Sequence, residues 1–477
     1  MFSSYFRFLA LFIIIITITI TLVIPKQLLA HPSKAIPLIK IVTEQQQLIP
    51  KNKKKINATW LLLENPSTTD YACESEKESG TPIKINVRGN FSRHYPKRSY
   101  QVEFYTDNER NKETALPLLG MSPSSEWILI ASFIDRTLIR NAFAFELARQ
   151  MTREKGKPLW YVSQWRQVEV VINCKYKGIY TLVEKIERSK DRVNIDKFDF
   201  DDLNKSDNPF ILKRDGRGAG NIEEAGETFR STWSTKFTYV YPSKSKIAAL
   251  KQADPLKHAQ FEQYMINTMT DFESIFKAMT PEEPHDELWS KAIDLPTFVH
   301  YFLIQEVFKN MDGFKRSIFF FRDKQGKFQM GPLWDFDIAM GNYWPYHQNL
   351  TSGFQHGHGY YLLDGNTELF WFKRLLQSQQ FASAVIKQYQ EYRKPGALLD
   401  WDNVNQLIDQ IAWQTPQEAI DRNFKRWHVL GKPPKLFFTM APPYPHTYEG
   451  EIKKLKSWQK RRLQWLDQHI TEIARGD

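Results

Sequence analysis

From about residue 58 onward, apolar and polar positions of the chain alternate with a period of two. Ile83-Lys84-Ile85-Asn86-Val87-Arg88 and Ser99-Tyr100-Gln101-Val102-Glu103-Phe104 each put every second residue on one face, the pattern of half-buried strands. The polar, breaker-rich stretch Gly89 to Arg98 between them reads as a loop. Gln167 to Ile172 and Gly178 to Glu184 repeat the alternation around Asn173-Cys174-Lys175-Tyr176-Lys177, which predicts a hairpin. Phe210-Ile211-Leu212-Lys213 is a further short strand, and the Gly-rich Asp215 to Gly220 after it reads as a mobile loop and a lobe boundary. Ahead of all this, residues 31–57 are polar and include Lys51-Asn52-Lys53-Lys54-Lys55, the composition of a solvated lead-in.

Helical spacing interrupts the strands once and then dominates the second half. Asp135 is placed to cap a helix running through about Met151, with Leu138, Ala142, Phe145 and Ala148 on one face. Leu295-Pro296 opens another helix that delivers Asn310-Met311-Asp312, Pro being tolerated in a first turn. Ile318 to Arg322 and Lys327 to Met330 predict a hairpin around Lys324-Gln325-Gly326. Glu451 to about Ile473 predicts a long basic helix packed through Trp458, Leu463 and Trp465. Phe370-Trp371-Phe372 is expected in the core. The sum is an α+β, two-lobed pattern, strands first and helices afterwards. Its expected divisions are 31–79 for the lead-in and first strands, 80–225 for a strand-rich part and 226–477 for a helical part.

The N-terminus adds a destination. Residues 8–24 carry no charge, Arg7 precedes them, and Leu28-Leu29-Ala30 offers a small residue before a cut. A positive start, an apolar run and a small-residue site predict a signal peptide over 1–30, with a membrane anchor as the competing expectation because the run nearly suffices to span a bilayer. Export would make the product secreted, periplasmic or cell-envelope bound. Two cysteines among 477 residues, Cys73 and Cys174, exclude a disulfide scaffold and a zinc ribbon but allow one bridge in an oxidising compartment. An aromatic content of 14% excludes a disordered chain. Lys plus Arg exceed Asp plus Glu by 65 to 54, a mild excess suited to an anionic ligand, an acidic partner or a membrane surface. No concentrated basic stripe accompanies it, so nucleic acid is not an expected partner.

The stretch that carries chemistry is 310–342. Asp312 follows a helix, a tight hairpin intervenes, and Asp335 and Asp337 follow Trp334. The hairpin folds the intervening residues back, so Asp312 and Asp335 can face one cleft. Asp335 and Asp337 share a face if extended and can reach one ion from a turn. Hard oxygen ligands so placed suit Mg²⁺ or Mn²⁺ with bound phosphates, the layout of phosphoryl transfer. A turn-capping role for Asp312, an ordinary loop at Trp334 to Asp337 and a structural Ca²⁺ site are the plainer alternatives.

Five segments in order resemble the spore coat protein H (CotH) family of atypical, secreted protein kinases. They are Val87 to Ser92 with Pro96 to Tyr100, Asp135 to Asn141, Gly178 to Glu184, Asn310-Met311-Asp312, and Gly331 to Asp337 with Gly341-Asn342. The resemblance implies a two-lobed protein-kinase-like fold, ATP as donor with Mg²⁺ or Mn²⁺, and a Ser or Thr of a protein substrate as acceptor. It implies Asp312 as the catalytic carboxylate and Asp335 and Asp337 as metal ligands. Lys213 is the best match to the phosphate-contacting Lys and Lys97 the second. Arg88 is a further phosphate contact or a loop organiser, and Glu184 an ion-pair partner for the Lys. No Asn stands a few residues after Asp312; Ser317 is the residue whose hydroxyl can serve a second metal there. No GxGxxG loop precedes Lys213. His356 and His358 resemble a metal-binding pair without a third ligand, and the basic run Lys453 to Arg462 is expected on a solvated helix face. Two rival functions use the same scaffold: a non-catalytic surface, adhesion or coat-assembly protein, and AMP transfer.

Overall fold

The computed structural model describes residues 35–72, 80–90, 92–151, 153–154, 157–203, 207–215, 228–323, 326–347, 349–356, 370–434 and 440–475. The expected signal peptide, Cys73, the Gly216 to Gly220 run and His358 lie outside them.

Seven strands close a barrel: β1 (Leu38–Thr43), β2 (Ile56–Leu63), β3 (Thr81–Arg88), β4 (Ser99–Phe104), β5 (Glu126–Ile130), β6 (Trp165–Ile172) and β7 (Lys175–Glu184). Their order is β1-β6-β7-β5-β4-β3-β2, with β1 returning to β2. The predicted alternation decides which residues fill it. Ile83, Ile85 and Val87 of β3 point inward with Val102 and Phe104 of β4, against Trp60, Trp127 and Leu129. The β6–β7 turn is tighter than expected, with only Asn173 and Cys174 between the strands, at φ 47° and 59°. Such a pair of left-handed residues matches the twist of a two-residue hairpin. Cys174 is disulfide-bonded.

One expectation fails at the start. Leu38–Thr43 is not part of a solvated lead-in. It pairs parallel with β6, Leu38 opposite Glu169 and Ile41 opposite Ile172, and so closes the barrel. Leu38, Ile39 and Ile41 are fully buried, and Lys40 reaches the Ala72 carbonyl at 3.3 Å. The strand is only six residues long and its polar members sit among apolar ones, so its periodicity is hidden by the polar residues around it.

A second, antiparallel sheet contains β8 (Phe210–Arg214), β9 (Thr228–Arg230), β10 (Lys236–Tyr241), β11 (Ile318–Arg322) and β12 (Phe328–Met330), in the order β9-β10-β8-β11-β12. The β11–β12 pair is the predicted hairpin. Around it lie α1 (Arg140–Met151), α2 (Lys244–Ala253), α3 (Pro255–Ala278), α4 (Asp286–Ala292), α5 (Leu295–Phe308), α6 (Phe370–Leu375), α7 (Gln379–Arg393), α8 (Trp401–Ala412), α9 (Gln417–Arg426) and α10 (Tyr448–His469). The fold is therefore α+β. From Thr297 to Phe308 every residue of α5 is buried, so this helix is the axle of the helical part. Trp371 and Phe372 are in the core as expected. The basic face of α10 is corrected at one position: Arg462 is fully buried, because it pairs with Glu306 of α5. Among the described residues no helix is long and apolar enough to cross a membrane.

Candidate active site

The site begins where α5 stops. Lys309 takes a left-handed conformation (φ 43°) as C-cap, and the Asn310 side chain accepts from the Asp312 N–H at 3.3 Å. The Asp312 carbonyl then receives the Lys315 and Arg316 N–H groups, both at 2.8 Å, which turns the chain into β11. Gly313 is required in that turn. A Cβ there would stand 2.2 Å from the Gln305 side-chain oxygen, and Tyr301 donates to the Gly313 carbonyl at 2.6 Å. Asp312 is thus fixed at the end of a buried helix, with its Oδ1 buried and without a hydrogen-bond partner. Burial pushes its carboxyl up to about 6. The cation of Arg316 opposes this, while Asp335 and Asp215 add to it.

Asp335 and Asp337 follow β12. Asp335 has φ 70°, rare for a residue with a side chain, and its neighbours over-determine it. Asn141 of α1 accepts from the Phe336 N–H at 2.8 Å, and the Ser317 hydroxyl donates to Asp335 Oδ2 at 3.0 Å. Asn342 donates to the Asp337 carbonyl at 2.6 Å and to the Ile134 carbonyl at 3.1 Å. Arg140 reaches the Ala339 carbonyl at 3.2 Å while its guanidinium binds Asp135 at 2.5 Å. Asp135 also accepts from the Arg140 N–H at 2.9 Å, so it organises the turn before α1, which opens later than the sequence predicts. The segments 135–141 and 341–342 are therefore the frame of the acidic loop. Local strain of this kind gathers at functional sites. The Asp337 carboxyl is pushed well up, by burial first and then by Asp335, Asp135 and Asp312, with a hydrogen bond to the Asp335 side chain.

The expected cations divide. Arg88 joins the site: its ring-stacked guanidinium lies 4.6 Å from the Trp334 ring, its Nη1 is buried without a partner, and it interacts with Asp335 and Asp215. Burial brings it down to about 10. Lys213 reaches the site through Asp215, its amine 2.6 Å from Asp215 Oδ2. Lys97 does not present its amine to the acidic loop. It is 2% exposed, donates to the Ile179 carbonyl and to Asn423 of α9 at 3.2 Å, and is brought down by burial to about 7. Glu184 is fully buried and accepts from Tyr161 at 2.6 Å and the Gln164 N–H at 2.9 Å. The expected Glu184–Lys pair is thus corrected, since the carboxylate beside Lys213 is Asp215.

Asp215 is the residue of this cluster that sequence reasoning passed over. It also accepts from the Ser317 N–H at 3.3 Å, so it ties Lys213 to the turn that holds Asp335. A signal for it existed, because residues two apart at the end of a strand share a face. The glycine run directly after it drew the reading toward a loop.

The donor set fits a divalent cation. The Asp337 carboxyl is raised by burial and by Asp335, Asp135 and Asp312, and a cation beside these carboxylates would offset their repulsion. Among the described residues no three acidic, His or Cys side chains are gathered tightly enough to hold an ion alone. Mg²⁺ in phosphoryl-transfer sites characteristically uses one or two carboxylates plus phosphate and water, so the pair suffices. His356 takes no part. It is 5% exposed, and its Nδ1 and backbone N–H meet Glu306 at 2.6 and 2.7 Å.

No curated protein sequence matches this chain. The family described as CotH kinase protein matches residues 85–466, a span that holds the barrel from β3 onward, the second sheet, Asp312 and the Asp335–Asp337 loop. The chain belongs to the CotH kinase protein family.

Proposed function

We propose that this kinase-like protein is an exported enzyme that transfers the γ-phosphoryl group of ATP to a Ser or Thr hydroxyl of a protein, with Mg²⁺ or Mn²⁺. The observation that carries the reading is Asp312 Oδ1, buried and unpartnered at the end of α5 with its carboxyl raised to about 6. A general base works best with a pKa near the operating pH. The acceptor oxygen bonds to the γ-phosphorus, its proton passes to Asp312, and the bond to the β,γ-bridging oxygen breaks with its electron pair leaving on ADP. Asp335 and Asp337 would hold the metal ion, with Ser317 donating to the first of them. When bound, that ion neutralises charge on the transferring phosphates. Arg88 and Lys213 supply positive charge to the same phosphates. A kinase-like, two-lobed arrangement is part of this proposal, with the barrel as one lobe.

Export rests on the apolar run 8–24 behind Arg7, and the disulfide at Cys174 accords with an oxidising compartment. Membrane association would come through that N-terminal run.

The test is transfer of label from γ-labelled ATP to candidate acceptor proteins and to the chain itself, comparing wild type with Asp312→Ala and Asp335→Ala. Labelling by wild type alone supports the proposal. Equal labelling by all three overturns it and leaves a non-catalytic scaffold. An acceptor mass increase of AMP rather than phosphate would replace phosphoryl transfer by nucleotidyl transfer.

A further inference from the structure

A cavity of about 770 Å³ opens between α1, the 159–167 segment and α8. Its volume is that of ordinary small-molecule sites. It is separate from the acidic loop: none of Asp312, Asp335, Asp337, Arg88 or Lys213 lines it. Nothing in the phosphoryl-transfer reading uses it.

Its wall is unusual in having many amides and no net charge. Gln150 of α1, Gln164, Gln167, Gln410 of α8 and Gln414 all line it. Gln410 lies in the last turn of α8 and Gln414 in the turn just after it, and both line the cavity. Both are exposed, and their side chains, like that of Gln150, make no hydrogen bond among the described residues. The charged members cancel. Glu146 is ion-paired with Arg149, and Asp191 is balanced by Arg166. Two polar atoms of lining residues are buried behind the cavity surface without a partner. Gln167 spends its amide N–H on the Leu138 carbonyl at 3.0 Å, but its Oε1 is buried without a partner. Trp160, 4% exposed, likewise keeps an unpartnered Nε1. Val162, Leu407 and Ile411 supply apolar surface beside them.

These features select among ligands. A polyphosphate or a polyanion needs a net positive wall, which is lacking. An apolar ligand would strand the amides, at a cost for each buried group left unpaired. A primary amide both donates and accepts, and so does a hydroxyl. We infer that this cavity is a binding site for a compact, neutral, polyhydroxylated ligand, a saccharide, whose hydroxyls meet the amide rim and whose C–H face meets the apolar patch.

The experiment is isothermal titration of the full chain with maltose, cellobiose and N,N′-diacetylchitobiose, with adenosine as a separate arm. The double variant Gln410→Ala/Gln414→Ala alters exposed positions only, and circular dichroism confirms its fold. Saturable binding of at least one disaccharide, weakened roughly ten-fold in the double variant as expected for lost hydrogen bonds, supports the inference. No saturable heat with any of the three, undiminished binding by the variant, or binding of adenosine alone overturns it.

Discussion

Lys213 Nζ stands 2.6 Å from Asp215 Oδ2, and the other oxygen of the same carboxylate accepts from the Ser317 N–H at 3.3 Å. One carboxylate thus fixes the amine at the end of β8 and the turn beneath Asp335. With the side chains 19% and 25% exposed, the pair is screened, and its value lies in orientation rather than stability. Asp215→Asn should therefore leave the fold intact and weaken the nucleotide. The expected result is a rise in KM for ATP of about ten-fold, the loss of one charge-assisted contact, with the KM for the acceptor unchanged. A smaller ATP-induced thermal shift gives the same reading without turnover. Equal rises in both KM values would point to general disruption instead.

Asp312 links activity and stability to pH in opposite directions. Its carboxyl titrates near 6 in the folded chain and near 3.8 when unfolded. In its proposed role as base it must be ionised, so kcat should fall as pH drops through about 6. Between about pH 4 and 6 the folded state holds a proton that the unfolded chain has released, and stability declines as pH rises. Above 6 the buried carboxylate imposes its full cost. Asp312→Asn should then lose roughly 10²–10⁴ in kcat yet unfold at higher denaturant than wild type at pH 7.5, by roughly 1–3 kcal/mol. The difference should vanish at pH 3.5. A variant that is less stable at pH 7.5 contradicts this account of the site.

Much of this arrangement was legible in the chain, and the physical reason differs by element. β3 and β4 declare themselves because their burial partly alternates along the strand, whereas β6, β7 and β11 are buried almost throughout and are marked by short β-branched and aromatic runs bounded by turn residues. Asp312, Asp335 and Asp337 were legible because acidic residues flank a hairpin whose turn residues are explicit. β1 was not, since six residues with two polar members carry too little pattern. The positions of Lys97 and Arg462 were illegible for another reason. Each is a basic residue whose burial is decided by a partner far away, Asn423 for the first and Glu306 for the second. Local composition says only that such residues are ordinarily exposed.

Gly341 shows what the frame tolerates. It has φ 71°, and a Cβ would stand 2.3 Å from the Trp458 ring of α10. Gly341→Ala pays twice, for a left-handed backbone and for overpacking, about 2–4 kcal/mol together. The displaced neighbour is Asn342, which holds the Asp337 carbonyl and the Ile134 carbonyl, so metal affinity should suffer with stability. Trimming the obstacle in Gly341→Ala/Trp458→Leu should cost less than the sum of the two single losses. Additive losses in denaturation would show that the two side chains do not meet.

The fully buried Glu306 and Arg462 join α5 to α10, with Nη2 and Oε2 3.0 Å apart. Burial alone would raise the Glu306 carboxyl, but His356, Arg462 and the Gln355 N–H hold it below the ordinary range. Arg462 also donates to the Glu306, Thr351 and Gly353 carbonyls at 3.0, 2.7 and 2.7 Å. This network sits one turn of helix before the residues that aim Asp312. Removing Arg462 leaves the buried carboxylate only His356 and two backbone N–H groups, so Arg462→Met should cost about 3 kcal/mol, the lower end for a broken buried pair. Replacing both, in Glu306→Gln/Arg462→Met, removes the buried carboxylate and should cost clearly less than the two single losses combined. A carboxyl lowered in the folded state contributes stability that is lost as pH falls through its folded value. Part of the acid sensitivity of the wild type should therefore be absent in Glu306→Gln. Denaturant titrations at pH 7.5 and 4 measure both effects, and a double variant as unstable as the summed singles would mean that Arg462 acts through its carbonyl contacts alone.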